Sequence, residues 1–109
     1  MTVYVVFLLT ITDGEVFQRY GEGFMEIFSK YDGQVLAATE NPISIEGDWP
    51  YSRTVILSFP NTDALNRWYR SPEYQTLAKL RHQASTSQTA IIPGLGHEDA
   101  VGEVVPEVA

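Results

Sequence analysis

EGDWPYSRTVILSFPNTDALNRWYRSPEY, residues 46–74, contains a turn, a strand and two helix starts in succession. In the strand, Arg53 to Phe59, strict alternation puts Arg53, Val55, Leu57 and Phe59 on one face and Thr54, Ile56 and Ser58 on the other. Pro60 and Asn61 stop it, because proline brings no backbone donor to a ladder. Asn61 or Thr62 then caps a helix through Ala64, Leu65, Trp68 and Tyr69, and Ser71-Pro72 opens another with serine at N-cap and proline at N1. Tyr74, Leu77, Leu80 and Arg81 continue that second segment.

Upstream, residues 2–11 are almost all β-branched, aromatic or aliphatic with no polar alternation, the pattern of a strand covered on both faces. Asp13 is placed to cap the next helix and Glu15 to complement its positive end. Val16, Phe17, Tyr20, Phe24, Ile27, Phe28 and Tyr31 recur at spacings of three and four, which predicts one broad apolar stripe, with Gly33 as a left-handed terminator. Gly21 and Gly23 inside this helix imply either the close approach of a strand or of a partner, or a locally loose helix. Gln34 to Thr39 predicts a second strand, interrupted at Asn41-Pro42 and resuming at Ile43 to Ile45. Downstream, Ser85 to Ile92 predicts the fourth strand, closed by Pro93-Gly94.

The order strand, helix, strand, strand, helix, strand is that of an α+β, ferredoxin-like βαββαβ sandwich, with the helical regions on one face of an antiparallel sheet. A monomer of that kind leaves the other sheet face in water, yet the first strand is apolar on both sides and Ile56 points away from the helices. An apolar face of that size needs a cover, and a second copy packed face to face, forming a dimeric α/β barrel, supplies it with closed symmetry.

The composition fits one domain over residues 1–93 with an acidic tail over 94–109. With 109 residues, such a chain removes roughly two-thirds of its unfolded surface from water. The absence of cysteine excludes disulfides, thiolate catalysis and cysteine-ligated metals. Fourteen acidic against seven basic residues, a net charge of −7, disfavour nucleic acid and anionic membrane surfaces. The apolar run Val3 to Leu9 has no basic residue before it and ends at Thr12-Asp13-Gly14, so it reads as a buried strand in a cytoplasmic protein and not as a signal peptide.

The combination of EGDWP at 46–50, Arg53-Thr54-Val55-Ile56, Phe59-Pro60 and WYRSPEYQ at 68–75 resembles the uncharacterised domain of unknown function 1330 family of the dimeric α/β-barrel superfamily. The resemblance covers about residues 2–93 and implies a ferredoxin-like protomer and a face-to-face homodimer. The chain departs from the family pattern at Ala37 to Pro42, where the family carries an arginine and paired glycines, at Ser58, where it often has glutamate, and in the acidic tail. Superfamily members that are cofactor-free monooxygenases supply an analogy of fold only.

Candidate ligand-binding residues are Arg53, Trp49, Tyr20, Tyr69, Tyr74 and His82. Arg53 can clamp a carboxylate bidentately, or pair with Glu46 or Asp48 of the neighbouring turn. Trp49 can wall a pocket or pack on the dimer partner. The phenols of Tyr20, Tyr69 and Tyr74 can donate to a substrate, or serve as core residues with satisfied hydroxyls. His82 is either a general base or a charged complement to the end of its helix. No GxGxxG, Walker-type or nucleophile-elbow motif occurs, and with two histidines a metal centre would need carboxylates or the second subunit, so neither cofactor nor metal is expected. Two functions fit: a cofactor-independent oxygenase- or isomerase-like enzyme acting on an acidic or aromatic metabolite, and a non-catalytic dimeric ligand-binding or regulatory module.

Overall fold

A computed structural model describes residues 2–96. Strand β1 (Val3–Ile11) leads into helix α1 (Gly14–Phe28), strands β2 (Gln34–Thr39) and β3 (Arg53–Phe59), helices α2 (Thr62–Tyr69) and α3 (Pro72–Ala84), and strand β4 (Ser85–Pro93). The four strands form one antiparallel sheet in the order β2-β3-β1-β4, and the architecture is ferredoxin-like. The second helical region is therefore two helices, divided where Ser71-Pro72 restarts the chain.

The expected caps form. Asp13 accepts the Val16 N–H at 3.2 Å, Asn61 that of Ala64 at 2.8 Å, and Ser71 that of Tyr74 at 3.2 Å, each satisfying a backbone donor that the first turn leaves orphaned. The tail expected over 94–109 lies, beyond Gly96, outside the described residues.

Register fixes the two sheet faces. Leu9 lies opposite Arg53, Phe7 opposite Val55, Val5 opposite Leu57 and Val3 opposite Phe59. These positions face the helices, where Val3, Val5, Phe7, Leu9, Leu57 and Phe59 join Phe28, Leu65, Trp68 and Tyr74 in the core. The alternate positions Tyr4, Val6, Leu8 and Ile56 share the other face and are half-buried.

Three local expectations change. The second strand does not resume at Ile43 to Ile45; both isoleucines are 92% exposed in the loop between β2 and β3. Asn41-Pro42 ends the ladder, and β2 stays an edge strand. Gly33 has no left-handed backbone, since the positive-φ glycines are Gly47 and Gly96 among the described residues. A Cβ at Gly33 would sit 2.5 Å from the Phe59 ring and 2.6 Å from that of Phe28, so close packing is what excludes a side chain there. Of the two glycines within α1, Gly23 meets Leu77 of α3, where a Cβ would lie 2.9 Å from a methyl, whereas a Cβ at Gly21 would meet open space.

Candidate ligand cleft

Open space beside Gly21 belongs to a cleft of about 1090 Å³ between α1 and the β2-β3-β1 part of the sheet. Its walls are largely aromatic and aliphatic: Phe17, Phe24 and Phe28 from α1, Phe7 and Leu9 from β1, and Val55 from β3. Such walls suit an apolar ligand, and the volume is that of a small-molecule site.

Polar groups enter from three places. Arg53, at the start of β3, lies 3.7 Å from Glu40. It thus pairs with the residue after β2 and not with Glu46 or Asp48. Tyr20 reaches the cleft from α1, and its hydroxyl lies 2.8 Å from that of Tyr74 on α3. Arg81 comes from α3 and is only 2% exposed. Its Nη1 donates to Ser87 Oγ at 2.8 Å, its guanidinium lies 5.2 Å from the centroid of the Phe7 ring, and its Nε has no hydrogen-bond partner. Among the described residues no carboxylate comes within ion-pair distance of this guanidinium.

The electrostatics follow from burial. Desolvation, and next the Tyr74 phenol, push the Tyr20 hydroxyl well above its ordinary range, with Arg81 pulling the other way, so Tyr20 stays a protonated donor. Burial pulls Arg81 down, but Tyr74, Tyr20 and Tyr69 outweigh it and leave the guanidinium firmly charged.

Of the residues singled out in the sequence, Arg53 and Tyr20 line the cleft, and Tyr74 supports it from behind through its hydroxyl. Tyr69 and His82 line a separate recess of about 310 Å³ beside β4. Burial and then the neighbouring Arg81 charge lower the His82 pKa, which works against the protonated form that a complement to the helix end needs. Trp49 joins neither cavity: its indole donates to Thr54 Oγ1 at 2.9 Å, on the sheet face away from the helices. Arg81 is the residue that sequence reasoning passed over. The signal was present, since Tyr74, Leu77 and Arg81 follow one apolar stripe and a cation on such a stripe has to be buried or snorkel.

Among the described residues no three His, Asp or Glu side chains gather as a metal site would require, and no helix is long and apolar enough to cross a membrane.

Comparison with known proteins agrees with this architecture. The family described as a domain of unknown function, DUF1330, matches residues 2–95. No match is found among curated proteins. The crystal structure of RPA0582, a protein of unknown function from Rhodopseudomonas palustris, is similar with a TM-score of 0.70 at 18% identity, covering 84% of this chain and 80% of that one. SnoaB, a cofactor-independent oxygenase from Streptomyces nogalater, is similar with a TM-score of 0.64 at 18% identity over 97% of this chain and 98% of its own. A dimeric protein of unknown function and ferredoxin-like fold from Bacteroides fragilis gives 0.60 at 15% identity, with 84% and 92% covered.

Proposed function

The chain belongs to the DUF1330 family, and from that premise and the cleft we propose that it is a homodimeric, cofactor-independent small-molecule enzyme, oxygenase- or isomerase-like, acting on an acidic aromatic metabolite. The observation that carries the reading is the cleft itself, whose apolar walls end in a charged arginine and a protonated phenol. Oxygenation and isomerisation of an enolisable aromatic share a first step, loss of a C–H proton to leave an enolate. Fixed donors aimed at the developing charge favour that anion. The carboxylates of Glu22 and Glu40 line the same cleft and are the groups available to take the proton. SnoaB lends support through its fold alone.

Homodimerisation is supported by the half-buried Tyr4, Val6, Leu8 and Ile56 on the face that no helix covers. It is supported too by the ferredoxin-like neighbour described as dimeric. A second reading, a binding module without turnover, is favoured by one observation: no histidine is among the described residues that line the cleft.

Deuterium exchange separates the two. With β-tetralone in deuterated buffer, the enzyme reading predicts exchange of the benzylic α-protons about a hundredfold faster than in buffer alone. Binding of β-tetralone without accelerated exchange contradicts catalysis and leaves the binding module.

A further inference from the structure

Arg81 is a charge buried with fewer partners than its donors can use. A guanidinium offers five N–H donors. Here one terminal nitrogen reaches Ser87, the Phe7 ring faces the charge, the Tyr74 and Tyr20 phenols stand beside the guanidinium as neutral partners, and Nε is unpartnered. An arginine this deep ordinarily has a carboxylate beside it, because the desolvation of an unpaired charge is expensive. Among the described residues it has none; it borders the recess beside β4, where Ser87 takes one of its donors, and on the other side the cleft, which it borders together with Tyr20.

The tyrosine pair makes the same demand. Two hydroxyls 2.8 Å apart share one hydrogen bond, which uses one O–H proton and leaves the other for a third group. Tyr74 is fully buried and does not line the cleft, whereas Tyr20 does. The arrangement that places the spare proton where an acceptor can reach it has Tyr74 donating to Tyr20 and Tyr20 donating into the cleft. In that arrangement the Arg81 charge acts on both phenols, polarising the pair toward the same acceptor.

We infer that Arg81 and the Tyr20–Tyr74 pair form an oxyanion site that selects ligands carrying an acidic oxygen, a carboxylate or an enolate, on a flat apolar body held by Phe7, Phe17 and Phe24. This inference rests on the cleft being the ligand site and adds the chemical class of ligand and the end at which it is held. Arg53, partly satisfied by Glu40 at the mouth, has the lesser part in recognising the charge.

Calorimetric titration with naphthoate and with neutral naphthamide tests it on the intact protein. The wild type is expected to prefer the acid by about tenfold or more, the range for a hydrogen bond to a charged group. Tyr20→Phe keeps the ring and is expected to lose most of that preference while binding the amide as before. Arg81→Met, where circular dichroism shows it folded, is expected to abolish the preference. Equal affinity of the wild type for acid and amide overturns the oxyanion site and leaves the cleft standing, whereas binding of neither at millimolar concentration overturns both. An acid preference that survives Tyr20→Phe but disappears in Arg53→Met also overturns the inference, because it moves charge recognition to the mouth.

Discussion

Gly33 and Gly21 have opposite reasons for lacking a side chain. At Gly33 two aromatic rings already occupy the space of a Cβ, so Gly33→Ala forces Phe28 or Phe59 out of place. Overpacking of this kind costs about 1–3 kcal/mol, and urea denaturation of the alanine variant should read a loss in that range. The sequence suggests a terminator at Gly33 because glycine after an apolar stripe usually ends a helix, but the determinant is a contact with β3 more than twenty residues away. Arg81, although its place on the apolar stripe marks it, was passed over for a related reason. A charged residue near the end of an amphipathic helix reads as solvated, and its burial depends on Phe7 and Ser87, which only the sheet brings to it. Trp49 and Tyr20 are equally aromatic in the sequence, yet one lies over Thr54 and the other in the cleft, because a loop's path is set by tertiary contacts and a helix face by periodicity.

At the scale of elements, the segment after α1 is tied to the first turn of α3 through Glu73. The Tyr31 hydroxyl donates to it at 2.8 Å and the Lys30 ammonium at 3.2 Å. Those bonds, Tyr31 first and Lys30 second, hold the Glu73 carboxyl below its ordinary value of 4.5. A folded pKa below the unfolded one means that the contribution is complete above 4.5 and is lost as pH falls through the folded value. Glu73→Gln should therefore be less stable than wild type at neutral pH, and the two urea midpoints should converge in acid. Parallel midpoints across that range would show that the tie contributes nothing. The elements themselves were legible, because strand alternation, the three N-caps and the Ser71-Pro72 restart are local signals. Ile43 to Ile45 misled because a β-branched pair favours a strand only where a neighbour offers a ladder, and after Asn41-Pro42 none does.

For the whole molecule, one sheet face is filled by helices and the other is left apolar, which is why the fold implies a second copy. The cleft lies on the helix side, between α1 and the β2-β3-β1 part of the sheet, away from the face left apolar. The meeting of Arg81 with Tyr20 was not legible in the sequence, since the two stand sixty-one residues apart and come together only through the packing of α1 on α3. The claim that this cleft is the ligand site is tested most directly at Gly21. A leucine there meets no atom at its Cβ and improves the helix by up to about 1 kcal/mol, so the Gly21→Leu protein should fold while its side chain enters the cleft. The account predicts that its affinity for naphthoate, measured by calorimetry, falls about tenfold or more with unchanged circular dichroism. Undiminished affinity in the folded variant would contradict it.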